Sequence, residues 1–91
     1  MKTAERKTAE EILLEHGRQG AVYLDNDDYA PAIIGTTFDG RVVYDFERMV
    51  DYLISYAGFR EYDDAAEWID YNVLRALPYM GEKAPIIVQI M

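Results

Sequence analysis

Asp63, Glu67 and Asp70 stand at i, i+4 and i+7 in a stretch of helical periodicity. At about 100° per residue, that spacing puts the carboxylates along one helix side, with successive rises of about 6 and 4.5 Å. Tyr71 and Leu74 fall within the same face. Asp64 sits beside it, and Asp51 and Tyr52 belong to the helix before. Tyr52 and Tyr71 each lie opposite the apolar stripe of their helix and are expected to be exposed. Carboxylates interleaved with an aromatic and a leucine suit docking: the acids steer a partner and the apolar groups anchor it. Asp51, Tyr52, Asp63, Asp64, Glu67, Asp70, Tyr71 and Leu74 are therefore the candidate partner-binding residues. The competing expectation is that the first helix packs over Tyr71 and Leu74, leaving ordinary solvated acids around them.

Other chemistry finds less support. Asp25-Asn26-Asp27-Asp28 invites a calcium reading, but an EF-hand loop needs an oxygen ligand at position five and glycine at six. Counted from Asp25, those positions hold Tyr29 and Ala30. An Asx-rich turn bonding its own backbone is the simpler expectation. The chain has no cysteine and one histidine, His16. Thiol chemistry, disulfides and Cys- or multi-His metal sites are thereby excluded. His16 falls in a last helical turn, where a cationic ring suits the dipole. No Gly-x-Ser-x-Gly, glycine-rich phosphate loop or His-Glu-x-x-His occurs. A glycosidase-like carboxylate pair needs a desolvating cleft, for which so short a chain has little material. The expectation is a non-enzymatic protein with no metal and no cofactor.

The elements that must carry the candidate face follow from pattern. Thr8 and Glu11 fit a capping box, which starts a first helix at about 9–16 ended by Gly17, with residues 1–8 a frayed lead-in. Ala21-Val22-Tyr23-Leu24 reads as a short strand. Residues 32–37 and 41–44 are β-branched runs joined by Phe38-Asp39-Gly40, and Asp-Gly marks a tight hairpin. Asp45 can cap a helix bearing Phe46, Val50, Leu53, Ile54 and Ala57, ended by Gly58. Asp63 or Asp64 can cap another, with Tyr62, Ala65, Ala66, Ile69, Val73, Ala76 and Leu77 on one side over four turns until Pro78. Residues 85–90 read as a last strand. The order α-β-β-β-α-α-β predicts an α+β fold, a small antiparallel sheet of three to four strands packed against helices, whose last strand has no neighbour assigned by pattern.

The 91 residues suit one compact domain, 1–91, and 51% hydrophobic content supplies a core. No apolar run approaches the ~18 residues of a membrane span, and nothing resembles a signal peptide, so a cytoplasmic protein is expected. Net charge is −8. Residues 21–70 hold twelve acids against three bases, a net of −9, so the whole imbalance lies in the middle of the chain. Direct nucleic-acid binding needs cationic surface and is not expected. The partner matching this charge is a basic protein surface, such as the nucleic-acid-binding groove of a nuclease, where carboxylates can stand in for phosphates. A homodimer formed through a sheet edge or through Tyr52, Tyr71 and Leu74 is the alternative, as a structural or regulatory module.

The segment from Gly40 to Leu53, GRVVYDFERMVDYL, resembles an uncharacterised family of small acidic proteins from Firmicutes, especially gut bacteria and their phages and mobile elements. So does Ile69 to Ile87, IDYNVLRALPYMGEKAPII, in which RALPYMG is the most distinctive stretch. The likeness spans about residues 20–90, and the Lys-Thr-Ala-Glu echo at the N-terminus departs from it. The resemblance implies no catalytic residue. It implies a context in which small acidic inhibitors of host defence, including anti-CRISPR and anti-restriction proteins, are encoded.

Overall fold

A computed structural model describes residues 8–18, 20–24 and 27–91. The fold is α+β, with three α-helices and a three-stranded mixed sheet among the described residues. Helix α1 spans Ala9–Glu15 and starts with the expected capping box. The Glu11 amide donates to Thr8 Oγ1 at 3.1 Å, and the Thr8 amide donates to Glu11 Oε1 at 2.9 Å. After His16, Gly17 takes φ +72° and the Arg18 amide returns to the Leu13 carbonyl at 2.7 Å, closing the helix end. The frayed lead-in expected before Thr8 lies outside the described residues, as do Asp25 and Asn26 of the Asx-rich turn.

Strands β1 (Ile33–Thr36) and β2 (Val42–Asp45) form the expected hairpin. They pair antiparallel, Ile33 with Tyr44, Gly35 with Val43 and Thr36 with Val42, and the register shifts between Ile33 and Gly35. The turn closes through the Gly40 amide to the Thr37 carbonyl at 3.0 Å, and Gly40 holds φ +87°, which a β-carbon disfavours. Strand β3 (Ile86–Val88) lies on the other side of β2 and runs parallel to it, with Val43 opposite Ile86 and Asp45 opposite Val88. Arg41 and Lys83 reinforce this join, donating to the carbonyls of Ala84 at 2.8 Å and Asp39 at 2.7 Å.

Two expectations about the sheet are corrected here. The sheet is mixed, not wholly antiparallel, because the chain from β2 to β3 crosses over through helices, the kind of connection a parallel pair requires. Ala21–Leu24 is not a strand. Both edges of β2 are already taken by β1 and β3. The segment instead lies over the core, with Leu24 buried and its amide donating to the Tyr44 hydroxyl at 3.1 Å. A 3₁₀ helix over Asp27–Ala32, containing Pro31, follows it and buries Tyr29, Ala30 and Ala32.

Helix α2 covers Phe46–Tyr56 and α3 covers Tyr62–Asn72. Asp45 caps α2 as expected, accepting from the Glu47 amide at 3.1 Å. Neither Asp63 nor Asp64 caps α3: Glu61 holds the cap position, and its side chain makes no capping bond. Nor does α3 run to Leu77. It ends at Asn72, and a second 3₁₀ helix takes over from Leu74 to Tyr79. Pro78 explains the change, since in an α-helix its ring would collide with the Leu74 carbonyl. The core joins Leu13, Leu24 and Tyr29 to Val42 and Tyr44 of β2, Met49, Val50 and Leu53 of α2, and Ala65 and Ile69 of α3.

Candidate functional site

Helix α3 is amphipathic with a narrow buried side. Ala65 and Ile69 are buried, whereas Asp63, Asp64, Glu67, Trp68, Asp70 and Tyr71 are exposed. The expected carboxylate row therefore faces outward, with Tyr71 at 65% exposure among it and not covered by α1. Asp63, Asp64 and Glu67 have no ion pair or hydrogen bond from their side chains among the described residues. Asp70 is the exception, with Arg75 Nη2 4.0 Å from its Oδ2. The same guanidinium lies over the Tyr71 ring, 4.9 Å from its centroid.

Acids of α2 extend the face. The Tyr62 hydroxyl, at the start of α3, donates to Glu47 Oε2 at 2.7 Å. That bond raises the Tyr62 hydroxyl above the usual phenol range, helped by burial and then by the charges of Glu47, Asp63 and Asp51. Three carboxylates from two helices thus act on one phenol. Tyr62 itself is exposed rather than part of the apolar stripe, because its polar end reaches across to α2. By contrast, Asp39 and Asp45 serve the fold. Asp39 accepts from the Thr37 hydroxyl and pairs with Lys83, and Asp45 caps α2 with Arg48 Nε 3.6 Å away.

Two candidate residues leave the face. Tyr52 is only 7% exposed. The first 3₁₀ helix packs against α2, so that helix buries a wider arc than its apolar stripe alone requires. Tyr52 stacks on Tyr56 with centroids 4.6 Å apart, beside Pro31. Leu74 is half-buried next to Phe46 and Ile87, because the tighter pitch after Val73 turns it away from the α3 row. Asp51 remains exposed.

The structure adds Trp68 and Phe59, which the sequence reading did not single out. Trp68 is 46% exposed, and its ring centroid lies 5.6 Å from that of half-buried Phe59 at a 57° tilt. With Asp64, Glu67, Tyr71 and Arg75 they line an open groove of about 430 Å³. A signal was present: the chain's single tryptophan sits outside the Ala65–Ile69–Val73 stripe, four residues after Asp64. Among the described residues no group of three or more His, Asp or Glu side chains could hold a metal ion, and no helix is long and apolar enough to cross a membrane. The groove is open and carries charge next to aromatic surface. In comparison with known proteins, the chain matches no protein family, no curated protein and no solved structure.

Proposed function

We propose that this domain is a non-enzymatic binding protein that inhibits a nucleic-acid-processing partner by docking its α2–α3 face into a basic groove. The observation that carries this reading is the set of Asp63, Asp64 and Glu67, unpaired among the described residues, around exposed Trp68 and Tyr71. Acids are depleted in ordinary interfaces, so a partner for this face must be cationic. From Asp63 to Asp70, four carboxylates span about 10.5 Å of helix axis, or one per about 3.5 Å, close to the ~3.4 Å per charge along one strand of duplex DNA. The resemblance supplies the specific form: a mobile-element protein acting against a CRISPR effector or a restriction enzyme.

The test is a pull-down against such nucleases with the wild type and with a D63K/E67K/D70K variant. Wild-type capture should be fast, weakened by salt and displaced by nucleic acid, and the variant should lose it. Retention by the variant would remove the face from the reading. A second reading, self-association, is favoured by β1, whose outer edge pairs with no strand among the described residues and carries exposed Ile34. Light scattering at high concentration decides it, since a strict monomer excludes it.

A further inference from the structure

We infer that the α3 groove is a seat for an arginine side chain of the partner, stacked on Trp68 and held by Asp64 and Glu67. This rests on the acidic-face reading above and narrows it from any cationic surface to one that presents guanidinium. The groove already holds one guanidinium, the chain's own. Arg75 lies 4.9 Å over Tyr71, with Asp70 at 4.0 Å completing an aromatic face and a carboxylate around one cation. The other end of the groove repeats those ingredients without an occupant. Trp68 is braced by Phe59, its indole remains 46% exposed, and Asp64 and Glu67 line the same depression. Among the described residues no cation lies over Trp68.

Guanidinium fits this arrangement better than ammonium. It is planar and weakly hydrated, so it can stack on the indole while its edge donates to a carboxylate. An ammonium is a strongly hydrated point charge that gains from the acids alone. Indole is also the strongest of the aromatic faces for a cation. The Arg75–Tyr71 contact shows the pairing that the partner's arginine would repeat next to it.

Trp68 is the chain's single tryptophan, so its fluorescence reports the seat directly. The full chain is titrated at low salt with hexa-arginine amide and, separately, hexa-lysine amide. The arginine peptide is expected to bind about three- to fivefold more tightly and to change Trp68 emission. Followed by isothermal titration calorimetry, since these variants lack the fluorophore, Trp68→Leu should erase that preference while keeping salt-sensitive binding of both peptides, and Trp68→Phe should restore part of it. Arg75→Gln, which removes the resident cation, should tighten arginine-peptide binding by about twofold. Equal, salt-sensitive binding of both peptides with unchanged emission would overturn the arginine seat and leave the acidic face standing. Failure of both peptides to bind the wild type would overturn the seat and the acidic-face reading together, and tighter binding of the lysine peptide would overturn the seat alone.

Discussion

Asp45 joins the sheet to the helices, and replacing it tests whether that join is made as the geometry indicates. Its backbone pairs with Val88 at the end of β2, and its buried side chain accepts the Glu47 amide at 3.1 Å to start α2. Arg48 Nε lies 3.6 Å from the other oxygen, but the Arg48 side chain is 59% exposed. Asp45→Ala removes the cap, worth about 0.5–2 kcal/mol, and the screened ion pair, worth at most about 1 kcal/mol. A loss of about 1.5 kcal/mol lowers Tm by about 6–12 °C in a domain of this size. Asp45→Asn keeps an acceptor for the Glu47 amide and loses only charge, so it should cost about 0.5 kcal/mol. Thermal unfolding followed by far-UV circular dichroism separates the two. An Asn variant as unstable as the Ala variant would show that the ion pair, not the cap, holds this junction. An Ala variant as stable as wild type would refute both.

Tyr52→Ala should cost about 3–5 kcal/mol as a core truncation, whereas Tyr71→Ala should stay within about 0.5 kcal/mol; denaturant titration of the pair checks the burial difference. The Thr37 hydroxyl holds the Asp39 carboxyl below its usual range against an opposing effect of burial, with smaller help from Lys83, the Asp39 backbone and Arg41. Its contribution is therefore complete above the unfolded-state value of about 3.9 and is lost as pH falls through the lower folded value. Asp39→Asn should remove that acid limb, read as a stability gap to wild type that closes as pH is lowered. Glu67→Gln should stabilise α3 by a few tenths of a kcal/mol while weakening capture of a basic partner, measured by unfolding and by binding on the same preparation.

The parts of the fold that local hydrogen bonding decides were legible in the residues. Thr8 with Glu11, Asp45 before Phe46, and Asp39-Gly40 between β-branched runs each satisfy backbone groups within a few positions. What distance along the chain decides was not. Ala21–Leu24 has strand composition, but it lies over the core with the Leu24 amide taken by the Tyr44 hydroxyl, and the place beside β2 goes to β3 from more than forty residues further along the chain. Tyr52 reads as exposed on its own helix and is buried by a 3₁₀ helix more than twenty residues earlier. Leu74 reads as part of the α3 face only while an ideal pitch is extended past Val73, and Pro78 ends that pitch. The outward row Asp63–Glu67–Asp70 was legible because all three lie within one unbroken helix. Trp68 was not legible as part of the site because Phe59, which braces it, lies outside α3 and its position depends on the packing of α2 against α3.

Local energetics divide the acids of α3 by what they do for the helix itself. Asp63 and Asp64 stand in its first turn, where no side chain caps the free amides and negative charge complements the dipole. Asp70 stands near the end, where that dipole disfavours an acid, but Arg75 offsets it. Glu67 has neither compensation. It follows Asp63 by four residues and precedes Asp70 by three, so it meets like charge on both sides. A lysine at position 67 would solvate the helix equally well and would attract both neighbours, so solubility alone does not account for a carboxylate there. Trp68, the next residue, lies outside the buried side formed by Ala65 and Ile69, and beyond its contact with Phe59 it remains 46% exposed. Glu67 and Trp68 stand side by side on the groove, and a cationic partner is the addition that would offset the like charge around the one and cover the exposed indole of the other.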